Sequence, residues 1–288
     1  MQNKSSENYF IKKATNTDNK FFFIHGNGFP PKAYSNFLNN IAQQGDTYAI
    51  CQKPFSKTNI NPLSLYGWDI FLNDAKSYVQ KYNLNGSIAI GHSMGAILIL
   101  LLELKNPKMF KKIFLLDPII TSKFRSYLYK VLYNSNLIDF FHPMIKKTKT
   151  RRTQFKNFNQ IYDIYRKKYI FSKMSDLDLK NYIYSIIENE GENIKIRISR
   201  EWESAIYRNG SLKDNYIWNN IHNLSTPTIM LSPPIDDFGH FNYGSQLIKK
   251  NSSIRYFTVK KSTHLFPMER PQKTAQIIMK NLNLGKID

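Results

Sequence analysis

Short apolar runs alternate with longer segments in which apolar residues recur every three or four positions along this 288-residue sequence. The runs at 9–13, 21–24, 47–51, 87–90, 112–116, 228–231 and 254–260 are rich in β-branched and aromatic residues and predict strands. Tyr34, Phe37, Leu38 and Ile41 fall at helical spacing. So do Trp68, Phe71, Leu72, Ala75, Tyr78, Val79 and Tyr82, which predicts two amphipathic helices. Residues 96–104 are apolar all round and predict a helix buried on every side. Helices are also expected over 243–250 and 271–282. Alternating strands and helices imply an α/β architecture, a mostly parallel sheet with helices on both faces.

The alternation lapses between 119 and 223. Helical spacing is clear at 155–171 and 177–187, and a strand is suggested only at 194–198. The chain therefore divides into a core, 1–118 and 224–288, and a mostly helical insertion, 119–223. In such sheets, ligands sit beyond the carboxyl ends of the strands. The loops at 25–31, 91–95, 117–118, 232–238 and 261–270 all leave such ends, so they converge on one site.

The strongest local signal is Gly91-His92-Ser93-Met94-Gly95, set between a buried strand and an apolar helix. That context places a serine on a sharp turn with a helix N-terminus behind it, and glycines at 91 and 95 let strand and helix approach the turn. A serine hydroxyl needs a base to take its proton, and histidine titrates in the right range. His264, in the loop after the last strand, is the candidate base. His92 is expected to pack or bond beneath the turn, and His25 to fix the loop at 25–29. A buried carboxylate must orient the imidazole. Asp236 is the first choice, because it lies in the loop preceding the strand that leads to His264, in the order serine, acid, histidine; Asp237 in the same loop and Asp117, each also just after a strand, are the alternatives. The oxyanion of an acyl-transfer intermediate needs N–H donors. The backbone N–H groups of Met94 and Asn27 are the candidates. The loop at 25–31 lacks the spacing of a dinucleotide fingerprint or a P-loop, which argues against nucleotide binding.

Residues 21–30 (Phe-Phe-Phe-Ile-His-Gly-Asn-Gly-Phe-Pro), 91–96 (Gly-His-Ser-Met-Gly-Ala) and 264–271 (His-Leu-Phe-Pro-Met-Glu-Arg-Pro) together resemble the α/β-hydrolase superfamily. The resemblance covers most of the chain in order and is weakest at about 119–223, where that family carries its variable cap. It implies a sheet of about eight strands, a Ser–Asp–His triad on Ser93, Asp236 and His264, and an oxyanion loop at Asn27 and Met94. Serine at 93 points to acyl chemistry. The acid loop departs from the family's Gly-x-x-Asp, since it reads Ser232-Pro233-Pro234-Ile235-Asp236-Asp237.

Composition refines this picture. One cysteine, Cys51, rules out an intramolecular disulfide and any cysteine-built metal site. The polar N-terminus shows no signal peptide, and no apolar run approaches a membrane span, so a cytoplasmic location is expected. Formal net charge is +20. Residues 121–173 carry thirteen Lys or Arg against two acids, a surplus that fits either a solvated face or attraction to an anionic substrate or membrane. No nucleic-acid-binding module accompanies it. The expected function is hydrolysis of a small-molecule carboxylic ester or thioester with an apolar acyl part, without metal or cofactor. The alternatives are an acyltransferase or C–C hydrolase using the same triad, and a protein of this fold that binds a small molecule without turnover.

Overall fold

A computed structural model of the chain describes residues 9–11, 17–55, 58–234 and 243–282. The strands are β1 (Tyr9–Ile11), β2 (Lys20–Ile24), β3 (Asp46–Ile50), β4 (Ile88–His92), β5 (Lys112–Leu116), β6 (Gln154–Phe155), β7 (Ile187–Glu190), β8 (Asn193–Ile196), β9 (Thr228–Ser232) and β10 (Arg255–Thr258). The helices of the first half are α1 (Ser35–Ala42), α2 (Asp69–Lys81), α3 (Met94–Lys105), α4 (Lys123–Asn134), α5 (Ile138–Phe141) and α6 (Pro143–Lys149). Those of the second half are α7 (Phe158–Arg166), α8 (Asp176–Ile186), α9 (Arg200–Asn209), α10 (Asp214–Asn220), α11 (Gly244–Lys250), α12 (Phe266–Glu269) and α13 (Pro271–Lys280).

Among the described residues, seven strands form one sheet in the order β1-β3-β2-β4-β5-β9-β10. β1 pairs antiparallel with β3, and all the other neighbours are parallel. The fold is thus α/β with a mostly parallel sheet, with seven strands described against about eight expected. β2, β4, β5 and β9 are near-continuous apolar runs because helices cover both sheet faces, leaving no solvent side on which polar residues would alternate. α3 is buried from Met94 to Glu103, as its all-round apolar sequence requires. Its one buried charge, Glu103, accepts bonds from the N–H groups of Lys108 and Phe110 and from the Thr226 hydroxyl. α1 and α2 bury only a stripe each.

Between β5 and β9 the chain is largely helical, α4 to α10. It also carries a three-stranded antiparallel sheet, β6-β8-β7, where the sequence indicated one strand at most. Glu190 pairs with Asn193 across Gly191 and Glu192, a two-residue hairpin turn. β8 overlaps the strand suggested at 194–198, where Ile194, Ile196 and Ile198 alternate with polar residues, whereas β7 is polar and exposed from Glu188 to Glu190 and lacks that alternation. Hydrogen bonds tie this region to loops at the carboxyl edge of the main sheet: the Arg197 guanidinium donates to the Phe55 carbonyl at 2.7 Å, and the Gly67 N–H donates to Asn209 Oδ1 at 2.7 Å. Among the described residues, no helix is long and apolar enough to cross a membrane, and no group of three or more His, Cys, Asp or Glu side chains could hold a metal ion.

Candidate active site

β4 ends at His92 and α3 begins at Met94, so Ser93 alone makes the turn between them. Its backbone lies at φ 58° and ψ −117°, a conformation that side chains disfavour and that persists only where the surroundings enforce it. The enforcement is visible. The Ser93 N–H donates to the Leu116 carbonyl on the neighbouring strand at 2.9 Å. A Cβ at Gly95 would stand 2.1 Å from the Ile24 carbonyl oxygen, and one at Gly91 would stand 2.4 Å from the Gly95 carbonyl oxygen. No side chain fits at either position, so α3 can press against β2 and β4 and Ser93 is held on the sharp turn between them.

Three loops are fastened together around this turn by His92. Its Nε2 lies 2.8 Å from the backbone carbonyl of His264, which can only accept, so Nε2 carries the proton. Nδ1 then accepts from the Tyr34 hydroxyl at 2.7 Å, and that hydroxyl accepts the Gly26 N–H at 3.2 Å. One relay thus joins the loop after β2, the serine turn and the loop carrying His264. Burial holds the His92 ring well below the ordinary histidine range, and the nearby His264 pushes the same way, so it stays neutral. His25 fixes the first loop more locally. Its Nδ1–H donates to the Gly26 carbonyl at 2.8 Å, and its Nε2 accepts the Gln52 N–H at 3.0 Å. Burial lowers its pKa to about 4, partly opposed by that carbonyl.

His264 stands on a loop closed by another buried carboxylate. Glu269 accepts the Thr263 N–H at 2.7 Å and the Thr263 hydroxyl. The His264 Nδ1 donates to Asp117 Oδ2 at 2.6 Å. Both side chains are largely buried, and the neutral ring then presents its lone pair on Nε2. Asp117 directly follows β5, where Leu116 pairs with His92. Ser93 and Asp117 are therefore the next residues on two adjacent strands. Asp117 also has a positive φ, 45°. Asp236 and Asp237 lie outside the described residues. The carboxylate bonded to His264 is the third of the candidates, Asp117.

The Met94 N–H is the first of α3 and has no carbonyl of its own helix to bond. Asn27 sits inside a turn closed by the Phe29 N–H on the Gly26 carbonyl at 3.2 Å. A Cβ at Gly26 would lie 3.3 Å from the Ser93 Cβ, so this loop passes directly over the serine. The Asn27 side-chain amide is buried with no aligned hydrogen bond. It acts on the hydroxyl of Tyr207 from α9, whose pKa is raised by burial, with Glu203 adding to and Arg151 and Asn27 opposing that rise. Cys51 is no rival nucleophile, because burial pushes its thiol up to about 11 and keeps it protonated at neutral pH. The roles of Tyr34 and Glu269 were not foreseen. Tyr34 fits its helical stripe as an apolar residue, and no local pattern links Thr263 to a glutamate six positions on.

No protein-family model and no curated protein matches the sequence. Solved structures do match in shape. A thioesterase domain from the curacin biosynthetic pathway superposes with a TM-score of 0.72 at 14% identity, covering 95% of this chain and 98% of that one. A peroxisomal alpha-beta-hydrolase from Saccharomyces cerevisiae gives 0.71 at 16% identity, covering 94% and 76%. An E-2-(acetamidomethylene)succinate hydrolase gives 0.70 at 12% identity, covering 94% and 93%. The chain has the α/β-hydrolase fold.

Proposed function

We propose that the chain is a serine hydrolase that cleaves a small-molecule carboxylic ester or thioester with an apolar acyl part. The observation that carries this reading is the 2.6 Å bond from His264 to Asp117 at the sheet edge where Ser93 makes its strained turn. In the proposed reaction, Ser93 Oγ attacks the substrate carbonyl carbon while His264 Nε2 takes the hydroxyl proton. Asp117 holds the ring in the tautomer that accepts there, and stabilises the imidazolium that results. The N–H groups of Asn27 and Met94 receive the oxyanion. The intermediate collapses, and the alcohol or thiol leaves with the proton from His264. Water then gives a proton to His264 and attacks the acyl-enzyme, which releases the acid and restores Ser93.

Support comes also from the overall shape, shared with proteins named as hydrolases and a thioesterase. The test is hydrolysis of a p-nitrophenyl ester series from acetate to long acyl chains. Turnover that disappears in Ser93→Ala is the expected result. Absence of turnover across the whole series, with a small molecule still bound equally by wild type and Ser93→Ala, would replace hydrolysis by simple binding.

A further inference from the structure

The outer face of the α4–α5 region bears large apolar side chains turned to solvent. On α4, Phe124 is 75% exposed and Tyr127 64%, with Leu128 and Val131 close to half exposed. These positions follow the spacing of one helical face, i, i+3, i+4, i+7. Leu137, Phe140, Phe141 and Met144 extend the same exposed character through α5 into α6. Soluble surfaces rarely leave so many bulky apolar groups standing together without a partner. The exposures of Phe124, Tyr127, Phe140 and Phe141 describe side chains that stand out from the surface.

The charges around them are of one sign. Residues 121–150 contain six Lys or Arg and one acid, Asp139. With each residue about 100° further around the helix axis, Lys123 and Lys130 fall on one flank of the α4 stripe and Arg125 on the other. Ser126, on the side opposite the stripe, is buried. Asp139 is already occupied by Lys149 and Arg208. Among the described residues, Lys130, Lys146 and Lys147 are exposed, and their ammonium groups make no hydrogen bond or ion pair. An apolar stripe between cationic flanks is the form of a helix that lies in a lipid–water interface. A second copy of the same face would bring like charges together, and protruding aromatics suit a lipid surface better than an acidic protein.

We infer that the face formed by α4, α5 and the start of α6 docks on an anionic phospholipid surface, with Phe124, Tyr127, Phe140 and Phe141 entering the interface and the flanking lysines facing the headgroups. This face begins near Ile119, itself half exposed and two residues after Asp117, so docking would bring the membrane beside the candidate site.

Sedimentation of the full chain with sucrose-loaded vesicles tests the inference without any substrate, so its outcome is independent of the hydrolase reading. Pelleting with phosphatidylcholine–phosphatidylserine vesicles is expected, with release on raising salt and little pelleting on phosphatidylcholine alone. Phe124→Asp with Phe141→Asp should lower the partition coefficient about tenfold or more. Lys146→Glu with Lys147→Glu, a change that removes no apolar surface, should lower it as well. Both pairs are exposed, and circular dichroism checks that the fold is kept. No pelleting on the anionic vesicles, or partition equal to wild type in both variants, overturns the inference. A concentration-dependent dimer that the phenylalanine substitutions abolish would assign the face to a second copy and overturn it too.

Discussion

Replacing His92 by phenylalanine tests the relay that fastens the three loops. The substitution keeps a ring of similar size in a fully buried position but removes both nitrogens. The Tyr34 hydroxyl proton loses its acceptor at 2.7 Å, and the His264 carbonyl loses its donor at 2.8 Å. A buried polar group left without its partner costs about 1–3 kcal/mol, so the two cost about 2–6 kcal/mol. The phenyl ring's additional apolar surface returns about 1 kcal/mol. The expected net loss is about 1–5 kcal/mol, a large share of the roughly 5–15 kcal/mol that holds a typical domain. Urea denaturation followed by tryptophan fluorescence measures it. The loss should also depend on pH. Burial lowers the His92 pKa in the folded protein below its ordinary 6.5, so on acidification the unfolded chain takes up this proton first. The stability contributed by the neutral ring is complete above pH 6.5 and drains away below it. The gap between wild type and His92→Phe should therefore be widest above pH 6.5 and narrow as the pH falls. A gap under about 1 kcal/mol at pH 7.5, or one that widens on acidification, would refute the reasoning.

Two other outcomes follow from packing and burial. Gly95→Ala drives a Cβ to 2.1 Å from the Ile24 carbonyl oxygen; the melting temperature should drop by several degrees, since overpacking of this kind costs about 1–3 kcal/mol or more, and an unchanged melting temperature would show that α3 and β2 are not in the contact described. Asp214 has the opposite pH signature to His92. Burial raises its pKa from 3.8 to about 7, against the bonds it accepts from Thr121 and Ser211, so the unfolded chain ionises first and folding is opposed as pH rises through that interval. That shift corresponds to about 4 kcal/mol, so Asp214→Asn should gain on wild type by up to that amount between pH 4 and pH 8 in urea titrations, and a constant difference would contradict the assignment.

The serine turn was legible in the sequence because its determinants are local: glycines two residues to either side, a buried strand before it and an apolar helix after it. The acid was not fixed in the same way. Asp117, Asp236 and Asp237 all follow strands and all lie between Ser93 and His264 in the chain, so residue order cannot separate them. Asp117 comes beside the serine turn because β5 lies directly beside β4, with Leu116 in register with His92, and neighbourhood in a parallel sheet is a property of crossovers that leave no mark on the strands they join. The His92 relay was half visible. A supporting role for the ring could be expected, but its partners come from residues 58 positions upstream and 172 downstream, and Tyr34 carries no sign that its hydroxyl, rather than its ring, is the part that matters. Of the β7–β8 hairpin, β8 was legible in the alternating Ile194, Ile196 and Ile198, and β7 was not, because it is polar from Glu188 to Glu190. The exposed stripe on α4 has the opposite character: its spacing is as regular as that of a core-facing helix, and only the fold reveals which way it faces.

The most direct measurement of the central claim is labelling by a fluorophosphonate, with the modified peptide located by mass spectrometry. The account predicts an adduct on Ser93, formed far more slowly in His264→Ala and Asp117→Asn and absent in Ser93→Ala. An adduct elsewhere, none at all, or labelling at Ser93 that ignores the loss of His264 would contradict it.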